Sequence, residues 1–427
     1  MTLDPGHFHA ALVQKKMYEQ VSPAVHVYAP KGLDLQLHLE RIEAFNSRPD
    51  DPTQWDLKIY AAPDYLGKML SEKPGNVVVL AGNNQKKTEY IKKIVDAGLN
   101  VLSDKPMCID KEGFGLLTAA FQSAEQNDVL LYDIMTERYE ITTLLQKELV
   151  NKAAVFGEFL KGTPEDPSVT KESVHHLFKY VSGSPLRRPG WYFDVSQQGE
   201  GLVDVTTHLV DLTMWECFPE ETIDYQTDIQ LLSARRWSTP VNRPQYEKVT
   251  GLPEFPDYLR DDVQGDTLAL FANGDMIYTL KGIHTKVSVI WNFEAPEGTG
   301  DTHLSIMKGT KSNIVIRQGA EQNYRPELYV EPAQGADSQE LGDVLTQAVA
   351  DLQASYPGIG LETQGPGWHI VIPDEYRVGH EAHFSEVTEK YLSFLKEGSM
   401  PGWEVPNMIT KYYITTSALE MAKGLPE

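Results

Sequence analysis

Residues 76–106 read NVVVLAGNNQKKTEYIKKIVDAGLNVLSDKP, and this stretch decides the fold class. Asn76 to Ala81 is a continuous, mostly β-branched run closed by Gly82, the signature of a strand buried on both faces. Residues 86–97 carry helical spacing and stop at Gly98, and Asn100-Val101-Leu102 is a second short apolar strand. A buried strand, a helix and another buried strand within thirty residues predict a parallel pair joined by a crossover helix.

The same alternation extends on both sides. Toward the N-terminus come a helix from Ala10 onward, a strand at Ala24–Tyr28 ended by Pro30, a helix over 33–46, a brief strand at 58–60 and a helical turn or two at 65–70. Toward the C-terminus come a helix over 112–126 and the strand Val129–Tyr132. This order predicts a doubly wound parallel sheet over residues 1–135. From about 136 the character changes. A helix over 138–150 leads into a Pro- and Gly-punctuated stretch to 200 and then a helical pattern over 202–216. Strand-like runs follow at 225–233, 266–272, 276–281, 285–293, 303–308 and 313–317. Ala272-Asn273-Gly274-Asp275 predicts a hairpin turn, so residues 136–427 are expected to build an antiparallel sheet, with helices at 340–354 and 380–397 closing the chain.

Composition sets the outer limits. The 427 residues hold 38 Lys and Arg against 61 Asp and Glu, a formal charge of −23. That balance argues against binding a phosphate backbone or an anionic membrane surface, both of which need a basic face. No apolar run approaches the roughly 18 residues of a membrane span. Two cysteines, Cys108 and Cys217, allow at most one disulfide. Asp4-Pro5-Gly6 follows Met1 so closely that only a stub of the first strand remains, which predicts residues lost before Met1. Were those a removed leader, the protein would be periplasmic; otherwise it would be cytoplasmic.

Loops at the carboxyl ends of parallel strands face the ligand crevice. The first is Asp4-Pro5-Gly6-His7-Phe8-His9, where a dinucleotide-binding chain would carry G-x-G-x-x-G; only Gly6 remains. His7 and His9 are two apart, but no carboxylate or Cys at ligand spacing completes a set, so no metal is expected. The second strand ends in Tyr28-Ala29-Pro30 without the acid that commonly holds a ribose, leaving Asp34 as a nearby substitute and NAD or NADP open. The third crevice loop is Gly82-Asn83-Asn84, whose amides can donate and accept. The fourth is Ser103-Asp104-Lys105-Pro106, with a Lys placed to hold a substrate oxygen and a Pro suited to a cis bond. Asp204 and His208 are four apart, which on a helix puts them on one face, so that the Asp orients a His acting as base.

Asp96 to Pro106 resembles the A-G-K-H-V-L-x-E-K-P signature of the glucose–fructose oxidoreductase/inositol dehydrogenase (Gfo/Idh/MocA) family, with Asp104 in place of Glu. Gly199 to Asp211 resembles that family's G-G-G-x-L-x-D-x-G-x-H-x-x-D. Gly82-Asn83-Asn84, Glu137-Arg138-Tyr139, Met307 to Lys311 and His380 to Phe384 are similar to further family segments, so the likeness spans most of the chain.

The resemblance implies a Rossmann-type domain followed by an α+β domain with an open, mostly antiparallel sheet, the last helices returning toward the first domain. It also implies a homodimer or homotetramer. The implied activity is hydride transfer between NAD or NADP and a secondary alcohol of a sugar, cyclitol or glycoside. Lys105 would hold the reacting oxygen, His208 would take the proton and Asp204 would orient it. Gly6, His7, Phe8, His9, Asn83, Asn84, Asp104 and Lys105 would line the cofactor crevice. The segment 161–198 departs from the family pattern; its Trp191 and Tyr192, beside Arg187 and Arg188, suit stacking on a sugar face. Two other activities fit the same residues: an NAD-dependent glycosidase acting by transient oxidation and elimination, and a non-catalytic sugar-binding protein that has lost the dinucleotide site.

Overall fold

The computed structural model describes residues 1–181 and 184–424. Its first sheet is built from β1 (Thr2–Leu3), β2 (Ala24–Ala29), β3 (Asp56–Ala61), β4 (Val77–Leu80), β5 (Asn100–Asp104) and β6 (Leu131–Ile134). All neighbours pair in parallel, in the order β3-β2-β1-β4-β5-β6. Strand order therefore reverses between β1 and β4, and the crevice outside their carboxyl ends is the expected ligand position for such a sheet. The connecting helices end where the sequence supplies a stop: Gly98 takes φ +73° after helix Lys87–Asp96, and the Asp110 side chain caps helix Lys111–Gln126 by accepting from Gly113 N. The predicted helix from Ala10 onward is only four residues long, His9–Leu12.

Two close approaches shape the crevice. A Cβ on Gly82 would lie 2.2 Å from the Asp4 carbonyl oxygen, so only glycine lets the β1 and β4 loops touch. Asp4 itself sits at φ +48°, its carboxylate accepting from Tyr90 at 3.0 Å.

The second sheet has ten strands. Its order runs from Ile229–Asn242 at one edge through Thr267–Leu280, Ile283–Glu294, Val169–Phe178, Thr302–Lys308, Ser312–Gln318, Glu327–Pro332 and Gly367–Val371 to Gly360–Gln364, with Val263–Gln264 added beside Thr267–Leu280. Every pair is antiparallel except Ile283–Glu294 with Val169–Phe178. The central strand Val169–Phe178 lies inside the stretch that the sequence reading leaves irregular.

The expected hairpin at Asn273-Gly274 is overturned. Thr267–Leu280 is one continuous strand, and Asn273 is 2% exposed within it. The Asn273 amide donates to Thr239 Oγ1 at 2.8 Å and its carbonyl accepts from Trp291 N at 2.7 Å, which fastens it to both neighbouring strands. Gly274 is needed for space, since a Cβ there would lie 2.5 Å from Leu202 Cγ. The turn falls instead at Lys281-Gly282, both at positive φ (48° and 82°), the type I′ geometry of a two-residue hairpin.

Helices His380–Glu397 and Glu404–Lys423 return to the first domain. Phe384, Val387, Tyr391, Phe394, Met408 and Tyr412 share one apolar core with Val78, Leu80, Val101, Leu102, Leu131 and Ile134. A buried charge network ties the same region together. Arg138 donates bidentately to Asp211 (2.6 and 2.8 Å) and also to Glu404 (3.2 Å), while Lys411 bridges Asp133 and Asp211 at 2.7 and 2.9 Å. Among the described residues no helix is long and apolar enough to cross a membrane.

Candidate active site

Between the carboxyl ends of β1, β4 and β5 and the face of the second sheet lies a cavity of about 740 Å³. The predicted residues His7, Phe8, His9, Asn84, Asp104, Lys105, Tyr192, Asp204 and His208 all line it.

Lys105 leaves β5 through a cis bond to Pro106 and reaches Asp204 Oδ1 at 2.6 Å. Asp204 is buried and Lys105 nearly so, with side chains 8% and 11% exposed. Burial alone would lower Lys105, but Asp204 and Asp104 outweigh it and hold the ammonium above its ordinary value. Burial likewise opposes ionisation of Asp204, and Lys105 more than offsets this, so its carboxyl lies below the usual range. Both groups are charged at neutral pH.

The expected Asp204–His208 pairing on a helix face is corrected. The helix begins at Thr206, and Asp204 lies in the turn before it. Its carboxylate is engaged by Lys105 from the other domain, and His208 Nδ1 is buried with no hydrogen-bond partner. His208 is pushed down to about 4, first by burial and then by the Lys105 charge. It is therefore a neutral imidazole, able to accept a proton, whose ring the Asp does not orient.

The first crevice loop folds inward. His9 Nδ1 lies 2.9 Å from Asp104 Oδ2 and His7 Nδ1 lies 3.6 Å from the same oxygen. Three potential ligand atoms, from His7, His9 and Asp104, all fall within 4.8 Å of one another. The third member, absent from the local sequence, is thus supplied by β5 almost a hundred residues away. Burial lowers both imidazoles well below their ordinary value.

Asn83 and Asn84 meet the second domain rather than open solvent. Asn83 Nδ2 donates to Gln197 Oε1 at 2.6 Å and Asn84 Nδ2 donates to the Gln198 carbonyl at 2.7 Å. Asn84 Oδ1 remains buried and unpartnered beside the cavity. Gly6 faces protein as well. A Cβ there would lie 2.9 Å from Asp34 Oδ2 and 3.2 Å from Trp191 Cζ2, and Trp191 Nε1 donates to Asp34 at 2.8 Å. Trp191 accordingly bridges the two domains over the first loop, while its neighbour Tyr192 reaches the cavity wall.

The wall opposite the crevice was less visible in the sequence. Arg188 stacks over Tyr192 (4.4 Å) and Trp291 (5.2 Å), and His175 packs on Trp291 with ring centroids 4.9 Å apart. Glu137 pairs with His380 Nδ1 at 3.3 Å at the cavity rim. Trp291 and Asp301 carry no motif, and the sheet order brings them here; Glu137 comes from the Glu137-Arg138-Tyr139 segment, in the turn Thr136–Tyr139. This arrangement offers an ion-paired Lys and a neutral His on one side and aromatic and guanidinium faces on the other. Such a site can grip a polyhydroxylated molecule and move a proton from one of its hydroxyls.

Residues 145–423 match a family model described as “Putative oxidoreductase C terminal domain”. Among solved structures, the chain is similar to a protein from Parabacteroides merdae described as a “putative oxidoreductase”. The two are 58% identical, with 99% of this chain and 96% of that one covered and a TM-score of 0.97. It is also similar to a levoglucosan dehydrogenase solved with NADH, at 13% identity over 99% of this chain and 96% of that one, TM-score 0.62. KijD10, a 3-ketoreductase from Actinomadura kijaniata solved with NADP and TDP-benzene, gives 11% over 97% and 94%, TM-score 0.58. These last two likenesses, at such low identity, carry the fold. No curated protein matches the chain.

Proposed function

The chain belongs to the family of the “Putative oxidoreductase C terminal domain”, and from that premise we propose that it is an NAD(P)-dependent oxidoreductase of the Gfo/Idh/MocA type. Its substrate is a secondary alcohol of a sugar, cyclitol or glycoside, or the matching ketone. One observation carries the reading: Lys105 from the first domain, ion-paired with Asp204 from the second, shares a cavity with the neutral His208 at the strand-order reversal.

The residues of this crevice suit a nicotinamide at its inner end. Asn84 Oδ1 and His208 Nδ1 are buried polar atoms without partners, and Asn84 and His208 both border the cavity. Asn84, Lys105 and the first loop would hold the ring end; Gly6 and Asp34 would meet the nucleotide end once Trp191 moves aside. When bound, the dinucleotide supplies the hydride acceptor or donor.

Lys105 holds the reacting oxygen by donating to it, its charge stabilising the developing alkoxide. His208 takes the hydroxyl proton, because burial keeps it unprotonated at neutral pH. Asp204 keeps Lys105 charged and aimed. Tyr192, Trp291 and Arg188 offer the aromatic and cationic faces on which a sugar ring stacks and hydrogen-bonds.

The test begins with denaturing the purified protein, identifying any released nucleotide by mass spectrometry, and titrating NAD(H) and NADP(H). Binding of one of them, followed by sugar-dependent change in nicotinamide absorbance, is the expected result. Saturable sugar binding without affinity for either dinucleotide would overturn the reading.

A further inference from the structure

The His7, His9 and Asp104 cluster borders the cofactor end of the crevice but neither holds the reacting oxygen nor takes its proton, and its geometry is that of a ligand set. Ligand atoms about 2.0–2.1 Å from a shared ion lie about 3 Å apart at octahedral corners and about 3.3–3.4 Å apart at tetrahedral ones. Here the His9 and His7 nitrogens lie 2.9 and 3.6 Å from one Asp104 oxygen. His7 and His9 stand edge to face, ring centroids 4.0 Å apart, so both Nδ1 atoms converge on that oxygen. The His9–Asp104 contact is an ordinary hydrogen bond and explains two of the three groups. It does not explain His7, whose Nδ1 is buried in the same cluster with no hydrogen-bond partner.

We propose that His7, His9 and Asp104 bind a divalent transition-metal ion whose remaining coordination positions open into the cavity of Lys105 and His208. Two imidazoles and one carboxylate suit Zn²⁺, Mn²⁺ or Fe²⁺ better than Mg²⁺ or Ca²⁺, which prefer an all-oxygen set. The Asp104 backbone is held by Lys87 Nζ, which donates to its carbonyl at 3.1 Å, so the carboxylate is carried on a fixed strand end. The nearby charge of Lys105 is paired with Asp204. Three protein ligands leave room for substrate oxygens, so the ion would chelate a hydroxyl or carbonyl of the sugar beside Lys105. The chelated sugar oxygen rests on the function proposed above, whereas the metal site rests on the cluster's own geometry and is read below without dinucleotide or sugar.

The experiment reads the metal directly. Protein stripped with a chelator is titrated with Zn²⁺ and Mn²⁺ by calorimetry and with Co²⁺ by visible absorption, alongside His7→Ala and Asp104→Asn. Circular dichroism shows whether each variant folds; His7→Ala removes no hydrogen bond and is expected to. One ion per chain, a raised wild-type Tm, and affinity at least 100-fold weaker in His7→Ala are the expected results. Absence of stoichiometric uptake of all three ions would overturn the proposal. So would affinities in the folded variants within twofold of wild type.

Discussion

His208 and Lys105 show how neighbours decide what a side chain does. An exposed histidine loses its basic form below about 6.5; His208 keeps it to about 4 because burial and the Lys105 charge both oppose protonation. The kcat/KM for alcohol oxidation is therefore expected to hold level from pH 7 to pH 5 and to fall only toward pH 4. His208→Ala should cost about 10²- to 10⁴-fold at pH 7. In Lys105→Met the acid limb should move upward, since one of the two causes is gone; a wild-type limb near 6.5 would refute the assignment. Lys105, Asp204 and His208 were readable as chemistry-bearing residues from their motifs. Their partnerships were not. The i,i+4 spacing suggested that Asp204 serves His208, whereas the helix starts two residues later and a lysine a hundred residues earlier claims the carboxylate.

Elements were legible in proportion to how strongly local pattern and tertiary packing agree. The runs at 77–80 and 100–104 are continuous and largely buried, the first lying between Gly75 and Gly82 and the second following Gly98, and they appear as β4 and β5. Val169–Phe178 reads VTKESVHHLF, with polar residues on most alternate positions, yet Lys171 is fully buried and ion-paired with Glu216 at 2.7 Å. Polar residues satisfied by distant partners hide a central strand from any local pattern. The segment from Gly190 to Gln198 is similar: its Trp191 crosses to Asp34 and covers Gly6. Trp191→Ala should uncover that loop and tighten NAD(P)H binding about tenfold, equivalent to about 1.4 kcal/mol, as read by nucleotide fluorescence titration. Unchanged or weaker binding would show that Trp191 does not compete with the cofactor. Arg138 joins two further elements, helices Thr206–Cys217 and Glu404–Lys423, through Asp211 and Glu404. Arg138→Met leaves Glu404 without its partner and Asp211 held by Lys411 alone, and should cost about 3–5 kcal/mol in urea unfolding; a loss under about 1 kcal/mol would count against the network.

Across the whole molecule, buried histidines set the pH response of stability. His38, His208, His303 and His383 are each held near 4, with burial the largest cause. Their unfolded values lie near 6.5, so between about 4 and 6.5 the unfolded chain binds more protons and stability rises with pH. Each contributes up to about 1.4 kcal/mol per pH unit in that window. The urea midpoint should therefore drop from pH 7 to pH 5, the four histidines outweighing the buried Glu216 and Glu404, whose carboxyls burial raises and which oppose the fall. A midpoint that is flat or rises on acidification would contradict this.

By itself the sequence determined the alternation of buried strands and helices that makes a parallel sheet, the switch to strand-rich sequence after residue 136, and the identities of Lys105, Asp204 and His208. These are local properties, written in periodicity, glycine stops and motif spacing. Only the tertiary structure decided that Asp204 pairs with Lys105, that Asn273-Gly274 runs straight through a strand, and that Asp104 joins His7 and His9. Each of those depends on contacts between residues far apart in the chain, whose geometry and burial no single segment encodes.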